Sequence, residues 1–159
     1  AEPHNLELQL RPGLKEINHG HWEEKTRADV EKNHADEYKF WEDDPFTFAP
    51  KDGESGLNVL ARALPVFREI VAKHDGENVI VVSHKATIRL VIGSVLGFDL
   101  RRYRDHLDQQ PCCMNILDFK LDPFGARLIL FNDTSHYNCS EKLIPTPCSQ
   151  QRLSKMFRD

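Results

Sequence analysis

No apolar run in the 159-residue sequence approaches the roughly 20 residues that a membrane-spanning helix needs. An excess of positive charge is missing too. Lysine and arginine number 21 against 25 aspartates and glutamates, a formal net charge of −4, which removes any general attraction to nucleic acid or an acidic membrane. The opening residues, Ala1-Glu2-Pro3-His4-Asn5, contain no initiator methionine, no basic segment and no apolar segment, so they do not read as a signal peptide as they stand. The missing methionine is expected of a processed chain or of part of something longer. Cysteine is scarce, at four positions, Cys112, Cys113, Cys139 and Cys148, with no C-x-x-C pair. Adjacent Cys112 and Cys113 would face opposite sides of a strand. This pattern speaks against a disulfide framework or a zinc site and for reduced thiols in a cytoplasmic compartment. Internal repeats and low-complexity tracts are absent.

What remains is ordinary for one globular domain: 40% hydrophobic residues, 29% charged residues and a length sufficient for a real core. The most ordered stretch is 78–92. The β-branched run Val79 to Val82 predicts a strand buried on both faces, and Ser83 and His84 follow at its carboxyl end. Ala86, Ile88, Leu90, Val91, Ile92, Val95 and Leu96 then recur at helical spacing until Gly97 stops them. In open α/β sheets ligands sit beyond the carboxyl ends of strands, and a helix beginning there presents amides suited to an anion. His84 at that turn is either a proton carrier near neutral pH or a turn histidine with a satisfied ring.

The remaining elements follow in order. Residues 1–12 read as a connector interrupted by Pro3 and Pro12. Thr26 is placed to cap a helix over about 27–42, broken near Asn33 to Asp36, with Val30, Tyr38, Phe40 and Trp41 partly buried. Residues 43–53 form a turn-rich loop. Ser55 is placed to cap a long helix over about 56–75 with a stripe of Leu57, Leu60, Leu64, Phe67, Ile70 and Val71, bent at Pro65. Asp99 opens a short basic helix with Arg101, Arg102 and Arg104, which reads as a solvated face or a lure for an anion. Strands at 113–121 and 126–131 flank Asp122-Pro123-Phe124-Gly125 and predict a hairpin. Residues 138–159, with Pro145 and Pro147, read as a weakly ordered tail.

Four stretches go further. Leu14-Lys15-Glu16-Ile17-Asn18-His19-Gly20-His21-Trp22-Glu23 resembles the L-x-E-x-x-x-G-x-W-E-G signature of the histidine phosphatase superfamily, the phosphoglycerate mutase-like fold. Val81-Val82-Ser83-His84 is similar to that family's second histidine motif, Gly53-Glu54-Ser55 to its G-G-E-S, and Leu130 to His136 to its closing L-x-N-D-T-x-H. The resemblance covers about residues 8–137. Its hallmark Arg-His-Gly is absent, and so is its S-x-L-x-R-x-x-x-T arginine; Glu24 and Lys85 stand where glycine is usual.

The resemblance implies an α/β domain of three layers: a mainly parallel sheet, helices on both faces and an antiparallel edge hairpin. Residues 1–137 would be the carboxyl-terminal two-thirds of it. It also implies a phosphohistidine mechanism without a metal or other cofactor. Under that reading Glu16 protonates the leaving oxygen and then activates water, while His84 and the amide of Lys85 hold phosphoryl oxygens. The attacking histidine would lie upstream. Glu16 precedes His84 by 68 positions, which leaves room for two helices and no large inserted lid, and suits a phosphatase better than a mutase. Glu23 is the competing carboxylate. A metal site from His19, His21 and His84 lacks completing aspartates or cysteines. The expected partner is a small phosphorylated substrate, with a homodimer or a separate amino-terminal segment as further partners. Phosphoglycerate mutase-type transfer and a non-catalytic binding module are the alternatives.

Overall fold

The computed structural model describes residues 2–119 and 125–137. Its helices start where side chains can satisfy the first free amides. Thr26 accepts from the amide of Asp29 at 3.1 Å, and the Asp29 carboxylate accepts from the amide of Thr26 in return, opening α1 (Arg27–Asn33). His34 leaves helical geometry at φ −137° and ψ 44°, so a second helix, α2 (Ala35–Asp43), begins directly after it. Ser55 and Asn58 form the same reciprocal pair at the start of α3 (Gly56–Lys73). Gly56 allows a close approach there, because a Cβ would lie 3.1 Å from the Phe46 Cα and push it back. The central helix α4 (Lys85–Val95) ends before Gly97, whose φ of +74° suits glycine. A 3-10 turn (Leu100–Arg102), capped by Asp99 through the Arg101 amide, leads into α5 (Tyr103–His106).

The core lies where α3 and α4 meet. Ile17, Val59, Leu90 and Tyr103 are buried together, with Phe46, Leu60, Ala86 and Leu100 packed around them. A second, aromatic cluster sits under α1 and α2. Trp22 is buried and stacks on Phe48, and Trp41 meets Trp22 edge-on. The expected hairpin forms: β1 (Met114–Asp118) pairs antiparallel with β2 (Arg127–Asp133), with Leu117 opposite Leu128. Most of its turn, and residues 138–159, lie outside the described residues. Among the described residues no helix is long and apolar enough to cross a membrane.

Three expectations need correction. Val79 to Val82 forms no strand; Ile80 and Val82 are 84% and 85% exposed. A strand exists only by pairing, and among the described residues the sole ladder is β1 with β2, so the mainly parallel sheet is not formed among them. The α3 stripe is rotated from the expected one. Val59 and Ala63 are buried and Leu57 is exposed, because α4 packs on the face where small residues allow close approach. Phe40 is exposed rather than partly buried, stacking only on Phe48. Cys112 and Cys113 precede β1 and are free thiols.

Candidate active site

The loop carrying Glu16 is fixed from two sides. Arg62 of α3 donates to the carbonyls of Gly13 at 2.8 Å, Lys15 at 2.9 Å and Glu16 at 3.0 Å, and forks onto Glu54 at 2.7 and 2.9 Å. From the other side Ser83 donates to the Leu14 carbonyl at 2.7 Å, and Thr87 to that of Lys15 at 2.8 Å. Pinned so, the Glu16 side chain reaches the first turn of α4. It accepts from the amides of Ala86 at 3.1 Å and Thr87 at 3.2 Å, besides its neighbour Ile17 at 2.9 Å. Free amides at a helix start attract negative charge, and here a carboxylate from 70 residues away meets two of them. The first amide of the helix, that of Lys85, is not committed to Glu16.

His84 is the N-cap residue of α4; its ring is exposed and makes no capping bond. A cavity of about 170 Å³ opens beside this turn, lined by Glu16, Lys85, Arg89, Tyr103 and Arg104, with His19 and Trp41 closing it. The structure therefore brings Glu16 and Lys85 to one cavity and sets His84 next to its wall, in sequence adjacent to Lys85 but not itself a lining residue. Glu23 lies elsewhere, accepting from the His19 amide at 2.7 Å. His21 turns toward His34 and Glu37 and does not join His84.

Of two further lining cations, Arg89 is absent from the sequence reading, and Arg104 appears there only as one of three arginines on a solvated face or anion lure. Arg89 is only 9% exposed; its Nη2 lies 3.6 Å from Asp108, and its buried Nε has no hydrogen-bond partner. Burial pushes its guanidinium below the usual range, opposed chiefly by Asp108. Its sequence signal is a lone cation in the apolar run from Ala86 to Val95. Arg104 stands apart from its neighbours. Arg101 and Arg102 pair with Asp99 and Asp105 on the surface, whereas Arg104 reaches across to α2, where it lies 3.7 Å above the Trp41 ring, donates to the Trp41 carbonyl at 3.2 Å and pairs with Glu42 at 3.4 Å. Tyr103, under both arginines, has its phenol pushed up by burial.

A helix opening after a histidine cap, with a glutamate from an early loop bound at its first turn, accompanies an overall likeness to α/β proteins of the phosphoglycerate mutase-like fold. Residues 1–134 match the histidine phosphatase superfamily (branch 1), and the chain belongs to that superfamily. It is 29% identical over 103 residues to phosphoserine phosphatase 1 of Hydrogenobacter thermophilus, covering 65% of this chain and 49% of that protein. With human 6-phosphofructo-2-kinase/fructose-2,6-bisphosphatase 3 it shares 30% over 130 residues, 80% of this chain and 24% of the other. Among solved structures it resembles Bacillus stearothermophilus YhfR, with a TM-score of 0.70 and 25% identity over 78% of this chain and 60% of that one. A mycobacterial glucosyl-3-phosphoglycerate phosphatase bound to inorganic phosphate shares the fold, with a TM-score of 0.71 and 24% identity over 83% and 68% of the two chains. The chain thus spans about half the length of the first of these relatives.

Proposed function

We propose that this chain supplies the acid and part of the phosphate contacts of a metal-independent phosphatase for small phosphate monoesters. The attacking histidine stands, by the family resemblance, in an Arg-His-Gly motif that residues 1–159 do not contain. Its ring nitrogen attacks phosphorus while the bond to the ester oxygen breaks, and Glu16 gives that oxygen its proton. Glu16 then takes a proton from water, the water oxygen bonds to phosphorus, and the phosphorus–nitrogen bond breaks to release phosphate. His84 and the Lys85 amide hold the phosphoryl oxygens as charge spreads over them. The observation that carries this reading is Glu16 bound at the first turn of α4, directly after His84. Relatives named for phosphoserine and fructose 2,6-bisphosphate support a small, multiply anionic substrate, and the cations Lys85, Arg89 and Arg104 around the cavity suit one.

In the complete protein, which carries the attacking histidine, Glu16→Gln tests the assignment against the plainer role of a helix cap. An acid matters most for a poor leaving group, so turnover of alkyl phosphates falls far more than that of aryl phosphates. A cap alone predicts equal losses on both, together with a lower melting temperature. Because no metal touches the phosphoryl group in this mechanism, chelation well below the melting temperature leaves turnover largely unchanged.

A further inference from the structure

Away from the cavity, the break between α1 and α2 brings three ligand-type side chains together. His21, from the 3-10 turn Gly20–Trp22, meets His34 and Glu37, and their donor atoms all lie within 4.8 Å of one another. None of the three lines the cavity beside Glu16.

The orientation of His21 is fixed from behind. Its Nδ1 lies 3.1 Å from the Lys51 carbonyl, which can only accept, so Nδ1 carries the proton and donates. That leaves Nε2 as the free electron pair, pointing into the cluster. A ring held by an Nδ1–H to a backbone carbonyl is the arrangement that readies Nε2 for a metal. Opposite it, Glu37 Oε2 lies 3.1 Å away, yet this oxygen is buried and makes no hydrogen bond. A shared cation satisfies both groups. Their spacing fits, because two ligand atoms each about 2.0–2.1 Å from a tetrahedral zinc stand a little over 3 Å apart. His34 is the N-cap residue of α2 and Glu37 stands in the first turn of that helix, so the helix start brings both to the His21 ring. The His34 ring reaches His21 at 4.7 Å between centroids, nearly perpendicular. A proton alone would join His21 to Glu37 as an ion pair, but it would leave His34 without a partner in the cluster. A metal uses all three.

We propose that His21, His34 and Glu37 form a binding site for a divalent transition-metal ion. Two imidazoles and one carboxylate select Zn²⁺, Co²⁺ or Ni²⁺ over Mg²⁺ and Ca²⁺, which prefer oxygen alone. Three protein ligands leave a fourth position for water. The ion ties the turn Gly20–Trp22 to the α1–α2 junction and, through His21, to the loop at Lys51. It therefore stiffens the aromatic cluster of Trp22 and Trp41, which flanks the cavity. The proposal is independent of the phosphatase mechanism and places no metal on the phosphoryl group.

The test uses the protein stripped of metal and titrated with Zn²⁺ followed by calorimetry and melting, and with Co²⁺ followed by its visible spectrum. One saturable site, a higher melting temperature reversed by chelator, and a tetrahedral Co²⁺ spectrum without a thiolate charge-transfer band are expected. His34→Gln and Glu37→Gln, both close in size to the originals, each weaken binding about tenfold or more while the metal-free melting temperature stays near that of the parent. No saturable binding, binding undiminished in both variants, or a thiolate band showing that the ion sits on cysteine would each overturn the proposal.

Discussion

His84 caps α4 with an exposed ring that the helix does not use, so replacing it removes little from the fold. In the complete protein with its upstream histidine, His84→Ala is expected to lower turnover by roughly two or more orders of magnitude, the usual cost of one preorganised oxyanion donor, with the melting temperature hardly moved. Near-normal activity on a phosphate ester would remove His84 from the site. Arg89 presents the opposite case. A nearly buried guanidinium with an unpartnered Nε is a poor contributor to stability, since its desolvation is only partly offset by Asp108 at 3.6 Å. Arg89→Met is therefore expected to leave stability unchanged or raised, while KM for substrates with a second anionic group rises about tenfold or more, the worth of one hydrogen bond to a charged group. An unchanged KM in steady-state assays would show that Arg89 does not touch substrate.

At the scale of elements, the contact between α3 and the loop of Glu16 rests on Arg62. One fork spans three backbone carbonyls and both oxygens of Glu54, which a lysine cannot imitate. Arg62→Lys is expected to cost about 2–3 kcal/mol in urea unfolding and to lower activity through the loosened position of Glu16. The same contact has an acid limit. Arg62 holds the Glu54 carboxyl below its ordinary value of 4.5, so this stability is fully present above that pH and is lost as pH falls through the lower folded value. Glu54→Gln should flatten the acid side of the stability–pH curve while leaving the shape above pH 5 much as before. An unaltered acid limb would place the sensitivity in other carboxylates. Caps are the local counterpart. Ser55→Ala breaks the reciprocal pair with Asn58 and is expected to cost about 1 kcal/mol by the same measurement.

Over the whole molecule, residues 1–159 hold neither an Arg-His pair nor a second phosphate-binding arginine of the family pattern, so a chain of these residues alone is expected to show no phosphatase turnover. Its segment Val79 to Val82 exposes the apolar side chains of Val79, Ile80 and Val82, and exposed apolar surface seeks partners. The isolated chain is therefore expected to self-associate or to bind a separate strand-bearing segment. A monomer by sedimentation that melts cooperatively and cleaves phosphate esters would contradict both expectations.

Local chemistry was legible in the sequence. The caps at Thr26, Ser55 and Asp99, the helix break beside His34, the extent of α4 and the antiparallel pair follow from neighbouring residues, because capping, helical periodicity and turn formation act within a few positions. The order of four weak motifs was enough to mark the superfamily. Other features depend on contacts across the fold, which no local window contains. That Val79 to Val82 lacks a ladder depends on which segments are beside it. That α3 buries Val59 and Ala63 rather than Leu57 depends on how α4 packs. Arg104 differs from Arg101 and Arg102 because α2 brings Trp41 and Glu42 to it. Arg89 gains its meaning from burial beside Glu16, and His21 from meeting His34 and Glu37 across a helix break. Charge and hydrogen bonding depend on distance and burial in space, and both are set only when separate elements pack.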